Sequence, residues 1–184
     1  MNCAEDGNRI IIAISGKQLS GKDRLATLLL EKLSGFTRVG LGDAIKMELA
    51  KRKKISYEEL EQNKHLYRPE LIELGNKGRR LEKGLYWVNK VLATPGNLVV
   101  PDMRVEKEFN AFKNKGAIMV RVDARRDIRE SRGQLVKEDD PTECGLDHIS
   151  DWDFIIHNNE DLTMLEKQAT DLCKTVLNKI KTRV

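Results

Sequence analysis

The sequence predicts an α/β protein in which a five-stranded parallel sheet lies between two layers of helices. Short apolar runs alternate along the chain with longer amphipathic stretches, which is the pattern of a mostly parallel sheet. The chain has 184 residues, enough to bury one sizeable core. We therefore expect one domain, residues 1–184, with the architecture of a three-layer sandwich.

Five apolar runs predict the strands of this sheet. They are residues 9–15, 37–41, 97–102, 117–123 and 153–158. The last run follows an acidic segment that is expected to turn into an edge strand.

Amphipathic stretches between these runs predict the helices. They are residues 21–34, 43–53, 104–115, 124–132 and 160–181, with two or three helices in 57–93. We expect breaks near Pro69 and around the GNKG segment at 75–78. The connection between the second and third strands is too long for a simple crossover. It predicts a helical acceptor-binding insert, residues 43–94, between core segments 9–42 and 95–184.

Composition excludes several classes of protein. Charged residues make up 34% of the chain, and no apolar run approaches the ~18 residues of a membrane span. The N-terminus has neither the basic start nor the apolar stretch of a secretory signal. Cys3, Cys144 and Cys173 lack the short paired spacings of a zinc or redox site. We expect a cytoplasmic protein with reduced thiols and no membrane partner.

The positive charge of the chain is modest. The net charge of +4 fits a phosphorylated small molecule as well as a polyanion. The basic run KRKK at 51–54 is expected to end a helix, where cations complement the helix dipole, and not to bind nucleic acid. The three histidines lack ligand spacing, so no zinc is predicted.

Residues 14–25 (ISGKQLSGKDRL) carry the motif on which the functional prediction depends. Gly16 is followed after four residues by Gly21 and Lys22, which is the phosphate-loop spacing. That spacing alone arises by chance in about one chain in twenty of this length. Here a predicted strand precedes the loop and a predicted helix follows it, as the motif requires. The loop therefore predicts an ATP site.

The polar residues of the loop have distinct expected roles. Lys22 should reach the β- and γ-phosphates, which the backbone N–H groups and the helix N-terminus would hold. Lys17 is either a second phosphate-binding cation or a solvated surface lysine. Ser20 either donates its hydroxyl to phosphate or magnesium, or is a small residue that the turn tolerates.

Asp23 stands where the generic motif has a Ser or Thr hydroxyl. Its carboxylate either begins the helix, where the dipole favours an acid, or holds Mg²⁺. Without the metal, this carboxylate would repel a triphosphate. The second interpretation therefore predicts strict metal dependence.

Asp102 and Arg104 (VVPDMR) follow the third predicted strand, at the same edge as the phosphate loop if the sheet is parallel. Asp102 either orients a magnesium-bound water, binds substrate, or only closes the strand in a turn. Arg104 carries the planar fork that suits phosphate or carboxylate. Both residues are candidates for acceptor binding, Arg104 also for catalysis and Asp102 also for the metal.

Four arginines follow the fourth predicted strand in DARRDIRESRG. At helical spacing Arg125, Arg129 and Arg132 share a face, whereas Arg126 points elsewhere. The run is either a solvated helix or a lid of residues 125–142. In a lid, Arg129 and Arg132 would neutralise charge on the transferring phosphoryl group and exclude water.

The predicted insert contributes cations of its own: Arg68, Arg79, Arg80 and Lys83. Arg68 and Arg79 are the candidates for binding an anionic acceptor. Tyr86 and Trp87 are expected to be core residues that anchor the insert.

The segment GKQLSGKD at 16–23, together with TECGLDHISDWDFIIHN at 142–158, resembles the animal-type phosphomevalonate kinase family. The resemblance also covers RxxRG at 129–133 and DxR at 102–104. It implies a fold like that of the P-loop nucleoside monophosphate kinases. It further implies ATP and Mg²⁺ at Lys17, Lys22 and Asp23, and a phosphorylated acceptor at Arg104.

The chain departs from that family in two places. Val105 stands where the family commonly has a further arginine, and Leu19 where it has a basic residue. GLGDAIK and LGNKGRR look more like phage and bacterial deoxynucleoside monophosphate kinases, a sister group. The sequence thus predicts an ATP-dependent kinase with phosphomevalonate as the first acceptor and nucleoside monophosphates as the alternative. A further hypothesis is that the chain is a nucleotide-binding protein with weak catalysis. We expect the protein to be a monomer or a homodimer.

Overall fold

Five parallel strands form one sheet in this computed structural model, which describes residues 9–181. The strands are β1 (Ile11–Ser15), β2 (Phe36–Arg38), β3 (Asn97–Val100), β4 (Ile118–Asp123) and β5 (Phe154–His157). Their order is β2-β3-β1-β4-β5, and every neighbouring pair is parallel. The five predicted strands are confirmed, and β5 is an edge strand as expected. Cys3 and the N-terminal segment lie outside the described residues.

The chain divides into two compact units. The first, here called the sheet unit, runs up to Arg38 and resumes at Gly96, and contains the five strands. Its helices are α1 (Lys22–Lys32), α6 (Glu106–Asn114), α7 (Arg126–Arg132), α8 (Pro141–Cys144) and α9 (Leu162–Lys181).

The second unit, here called the helical unit, spans Val39–Pro95. It contains α2 (Leu41–Lys53), α3 (Tyr57–Gln62), α4 (Lys64–Arg80), a 3₁₀ turn (Glu82–Gly84) and α5 (Tyr86–Leu92). The predicted insert, residues 43–94, falls within this unit, and its role in acceptor binding remains a prediction. The basic run at 51–54 ends α2, as expected.

The centre of the sheet unit is β1, whose residues are all buried. A parallel strand covered on both faces needs a continuous apolar run, and IIAIS supplies it. Ile12 and Ile14 pack with Leu25 and Leu29 of α1 and with Leu172 of α9. Helix α6 contacts β1 and β4. The helices on both faces confirm the three-layer architecture.

The predicted breaks at Pro69 and at residues 75–78 are wrong, because α4 runs through both. Pro69 lies in the second turn of α4, where it removes one hydrogen-bond donor without ending the helix. The two glycines serve close packing: Gly78 lies under the indole of Trp87, whose Nε1 donates to the Gly75 carbonyl at 3.0 Å. The chain breaks instead at Asn63 and after Arg80.

Two other predictions have an outcome in the structure. Trp87 is buried and is a core residue, as expected, while Tyr86 is half-buried and donates its hydroxyl to Glu48 at 2.7 Å. Cys144 and Cys173 are free thiols. Among residues 9–181, no helix has both the length and the apolar character to cross a bilayer.

We predict that Gly78→Ala destabilises the protein by about 1–3 kcal/mol, because its new Cβ would lie 2.2 Å from Nε1 of Trp87. Gly75→Ala is the matched control in the same helix, since its Cβ would meet the ends of two flexible side chains, 3.2 Å from Cδ1 of Ile45 and 3.7 Å from Nη1 of Arg79. There the helix propensity of alanine offsets the contact. Urea unfolding measures both, and equal free energies of unfolding would contradict the packing argument.

Candidate active site

The phosphate loop passes from β1 into α1 with no room for a side chain at either glycine of the motif. A Cβ at Gly16 would lie 2.3 Å from the carbonyl oxygen of Val122 in β4. A Cβ at Gly21 would lie 2.2 Å from Nδ2 of Asn158, and Gly21 has a φ of +103°. Glycine is the residue that tolerates both constraints. The spacing of the motif therefore reflects close approach to the ends of β4 and β5.

The interior of the loop presents groups that bind anions. Helix α1 begins after Gly21, which as a glycine provides no side-chain cap, so the N–H groups of its first turn are open to an anion. Within residues 9–181, the hydroxyl of Ser20 is buried and has no hydrogen-bond partner. Buried polar groups are almost always hydrogen-bonded, so a buried hydroxyl without a partner indicates a position for a ligand atom. This orphan group fits a phosphate oxygen of a bound nucleotide.

Lys22 lies inside the loop, 7% exposed, and its Nζ donates to the carbonyl of Lys17 at 2.7 Å. Burial, followed by the positive charge of Arg104, lowers the pKa of Lys22 to about 8. Glu143 and Asp23 act in the opposite direction. The amine is therefore desolvated and close to other charges, as a phosphate-binding lysine needs to be.

Lys17 pairs with an acid from the segment after α8. Its Nζ lies 2.7 Å from Oδ2 of Asp147, whose other oxygen accepts from Arg121 of β4 at 2.7 Å. The Arg121 guanidinium in turn lies over the ring of Trp152, 5.8 Å from its centroid. The ECGLD block is thus joined to the loop through Asp147.

Glu143 makes a second connection between that block and the loop. Its Oε2 accepts from the backbone N–H of Gln18 at 2.8 Å. Its Oε1 accepts from Nη1 of Arg104, which follows β3. Arg104 therefore stands at the same edge of the sheet as the loop, as the parallel order predicts.

Two of the four arginines after β4, Arg129 and Arg132, contact the loop backbone. Arg132 donates through Nη1 to the carbonyl of Leu19 at 3.1 Å and through Nη2 to that of Asn158 at 2.9 Å. Arg129 is 5% exposed and pairs with Glu138 at 2.9 Å. Its Nε is buried without a partner among the described residues. Both arginines thus lie beside the phosphate loop.

The predicted grouping of these arginines is wrong in one respect. Arg125 does not share a face with Arg129, because it precedes α7 as its N-cap and pairs with Asp127 in solvent. Arg126 was expected to point elsewhere, but both Arg126 and Arg129 form ion pairs with the carboxylate of Glu138. The helix begins at Arg126, two residues later than predicted, so Arg125 lies outside it, while Arg126 and Arg129 are three residues apart and share a face.

The two candidate metal ligands have oxygen donors that suit a hard cation. Asp23 lies in the first turn of α1, 80% exposed, and Oδ1 pairs with Arg38 at 3.0 Å. Asp102 is half-buried just beyond β3. No three acidic, histidine or cysteine side chains of residues 9–181 come together as a metal cage. The donor set fits an ion held by carboxylates and nucleotide oxygens together.

Two predicted acceptor residues, Arg68 and Arg79, lie in the helical unit on α4. Both are exposed, and Nη1 of Arg79 lies 3.4 Å from Oδ1 of Asn76. Their role in acceptor binding remains a prediction.

A cavity of about 350 Å³ lies beside the loop in the sheet unit. It is bounded by Gly21, Arg132 and Asn158, with Leu162 and Leu165 of α9 as its apolar wall. A guanidinium at one side and leucines at another suit a flat, partly polar ring. The cavity continues from the phosphate loop, at the start of α1.

The sequence alone does not single out Gln18, Arg121 or Asn158, and it does not reveal the contacts that Glu143 and Asp147 make with the loop. Arg121 had a signal, because a charge inside the apolar run AIMVRVD needs a partner. Asn158 closes a strand at the carboxyl edge, where polar residues gather in such folds. The contact of Gln18 is made by its backbone, which the residue type does not reveal.

The parallel sheet and the phosphate loop between β1 and α1 define a P-loop kinase fold like that of the nucleoside monophosphate kinases. The family model of phosphomevalonate kinase matches residues 14–117. The chain therefore belongs to the phosphomevalonate kinase family, and it is an ATP-dependent phosphotransferase.

Two solved structures are similar over nearly the whole chain. Shikimate kinase from Aquifex aeolicus vf5 is 16% identical, with a TM-score of 0.47 over 91% of this chain and 98% of that chain. The Mycobacterium tuberculosis APS kinase CysC, in complex with AMPPNP and APS, is 16% identical. Its TM-score is 0.49, over 92% of this chain and 97% of that chain.

Proposed function

We propose that this chain transfers the γ-phosphoryl group of ATP to a phosphate already carried by a small acceptor, with phosphomevalonate as the first candidate. The observation that carries the proposal is the approach of Arg104 to the phosphate loop through Glu143. An acceptor phosphate bound by Arg104 would then lie next to the nucleotide phosphates. The matched family range, 14–117, includes both the loop and Arg104.

The residues of the loop would hold the nucleotide. Gly16 and Gly21 let the backbone close around the phosphates, and Ser20 offers its unpaired hydroxyl. Lys17 and Lys22 supply positive charge. The cavity beside Gly21 would take the base and ribose.

The chemical step asks the protein for position and charge, with little covalent work. Lys22 and Arg104 would both neutralise negative charge on the transferring phosphoryl group. Arg129 and Arg132 would hold the lid segment, residues 125–142, against the loop. Neutralised charge and excluded water then lower the barrier.

We further propose that Asp23 and Asp102 hold Mg²⁺ together with the nucleotide. A bound Mg²⁺ would neutralise charge on the phosphate oxygens. Asp23 uses only Oδ1 toward Arg38, which leaves its other oxygen for the metal or for a metal-bound water.

Arg68 and Arg79 of the helical unit, and Asp102 and Arg104 of the sheet unit, are our candidates for acceptor recognition. The similarity of GLGDAIK and LGNKGRR to deoxynucleoside monophosphate kinases favours a nucleoside monophosphate as the second candidate. A weakly catalytic nucleotide-binding protein is the remaining alternative, because Leu19 and Val105 replace basic residues of the family. The cytoplasmic location and the state as monomer or homodimer remain predictions.

We predict that an acceptor screen with Mg·ATP, scored by ADP release, shows turnover with phosphomevalonate above that with any nucleoside monophosphate. ADP release that no acceptor stimulates would favour the weakly catalytic alternative, and a nucleoside monophosphate as best acceptor would support the second candidate.

Lys22→Met should lower kcat by ~10² or more with the fold intact, because it removes a charge that acts on the transition state. Lys32→Met, at the exposed end of α1, is the matched control.

We predict that Asp23→Ala raises the Mg²⁺ concentration for half-maximal activity about tenfold, because it removes a ligand of the metal. Arg38→Ala frees the same carboxylate without removing it, so its magnesium dependence should match that of the wild type. Titration of the initial rate with Mg²⁺ measures both. An Asp23→Ala variant with wild-type rate and magnesium dependence would leave Asp23 only its role at the start of the helix.

A further inference from the structure

Glu143 occupies an unusual place for a carboxylate, between two groups that bind anions. Its Oε2 accepts from the N–H of Gln18 at 2.8 Å, and its Oε1 accepts from Nη1 of Arg104. The Glu143 side chain is only 7% exposed. One buried carboxylate therefore ties the backbone of the phosphate loop to the guanidinium that follows β3.

Helix α8, which carries Glu143, does not account for these contacts. Asp140 already caps the helix, accepting from the N–H of Thr142 at 2.9 Å. The spacing from Asp140 to Glu143 is that of a capping box, in which the glutamate reaches back to the N–H of the cap residue. Both carboxylate oxygens of Glu143 instead contact residues from other elements. The tertiary fold directs this side chain into the site.

Arg104 is fixed at its backbone as well as at its guanidinium. Its N–H donates to the buried carboxylate of Glu108 at 2.8 Å. Gly145, at the end of α8, lies against the Arg104 backbone, because a Cβ there would be 3.5 Å from the carbonyl oxygen of Arg104, an ordinary contact distance. The side chain of Arg104 therefore has a defined starting point, and Glu143 determines where its guanidinium lies.

Glu143 and a bound phosphate can occupy the site together. In the phosphate loop, Glu143 accepts from the N–H of Gln18. The first turn of α1 has no side-chain cap, and the Ser20 hydroxyl has no partner within the described part of the chain, so both can still bind a phosphate. Arg104 uses only Nη1 in its contacts with Glu143 and the Thr142 carbonyl. The remaining nitrogens of its fork can meet an acceptor phosphate.

We infer that Glu143 is a positioning residue for phosphoryl transfer, which sets the guanidinium of Arg104 at a fixed place relative to the phosphate loop. This inference rests on the proposed function. A charge that acts on a transferring group has to be placed to within a fraction of an ångström. Without Glu143 the loop still binds nucleotide, but Arg104 is no longer held beside it.

A double-mutant cycle in kcat tests this inference. Glu143→Gln keeps the shape of the side chain and removes its charge, and should lower kcat about 10- to 100-fold while the KM for ATP changes less than about 3-fold. In the Arg104→Ala background it should cause little further loss, because Glu143 acts through Arg104. Glu143→Asp, which keeps the charge on a shorter side chain, should restore part of the rate. Asp171→Asn, an exposed and ion-paired carboxylate on α9, is the control for lost charge.

Two kinetic results would overturn the inference. They are an unchanged kcat in Glu143→Gln and losses that multiply in the double variant. An unchanged kcat together with a lower KM for ATP would make Glu143 a competitor of the nucleotide phosphates. Melting curves identify any variant that has lost its fold, and the kinetic cycle is read only from variants that melt like the wild type.

Amide hydrogen exchange at Gln18 tests the coupling without turnover. In the nucleotide-free protein, Glu143→Ala should speed exchange of this N–H about tenfold, since it loses its acceptor. Arg104→Ala should speed it as well, because Arg104 holds Glu143 in place. Failure of the wild type to use any acceptor would count against the proposed function alone. Exchange that is unchanged in Arg104→Ala would count against the coupling, whatever the turnover.

Discussion

The close approach of the phosphate loop to the ends of β4 and β5 is the constraint on which the rest of the site depends. Gly16 lies against the backbone of Val122, and Gly21 against the side chain of Asn158. Asn158 also donates from Nδ2 to the carbonyl of Ser20 at 2.8 Å, which fixes the turn into α1. We propose that a loop held in this way presents its N–H groups and Lys22 to a phosphate, and preorganised charge of this kind is what phosphoryl transfer requires.

Three cations around the loop are paired with acids. Lys17 and Arg121 share Asp147, and Arg104 meets Glu143. Buried cations without such partners would repel each other and lose their solvation. The lowered pKa of Lys22, to about 8, shows that the desolvation of its amine and the charge of Arg104 outweigh the acids near it. The negative charge of a bound triphosphate would compensate the positive charge of Lys22.

The sequence predicted those parts of the fold and site that depend on local pattern. The buried run of β1 and the glycine spacing located the strand, the loop and the start of α1, because each is a short-range requirement of backbone and burial. The predicted break at 75–78 was wrong because Gly78 packs against Trp87 of α5, and no local sequence pattern reveals that contact. The contacts of Glu143 with Gln18 and Arg104 were missed for the same reason, since they join residues far apart in the chain.

Phosphorus NMR of a reaction with Mg·ATP and phosphomevalonate identifies both the transferred group and its acceptor. We predict that the monoester signal of the acceptor disappears and that a coupled pair of diphosphate signals appears at the rate at which ADP forms. Formation of ADP with inorganic phosphate, while the acceptor signal stays unchanged, would contradict the proposed function.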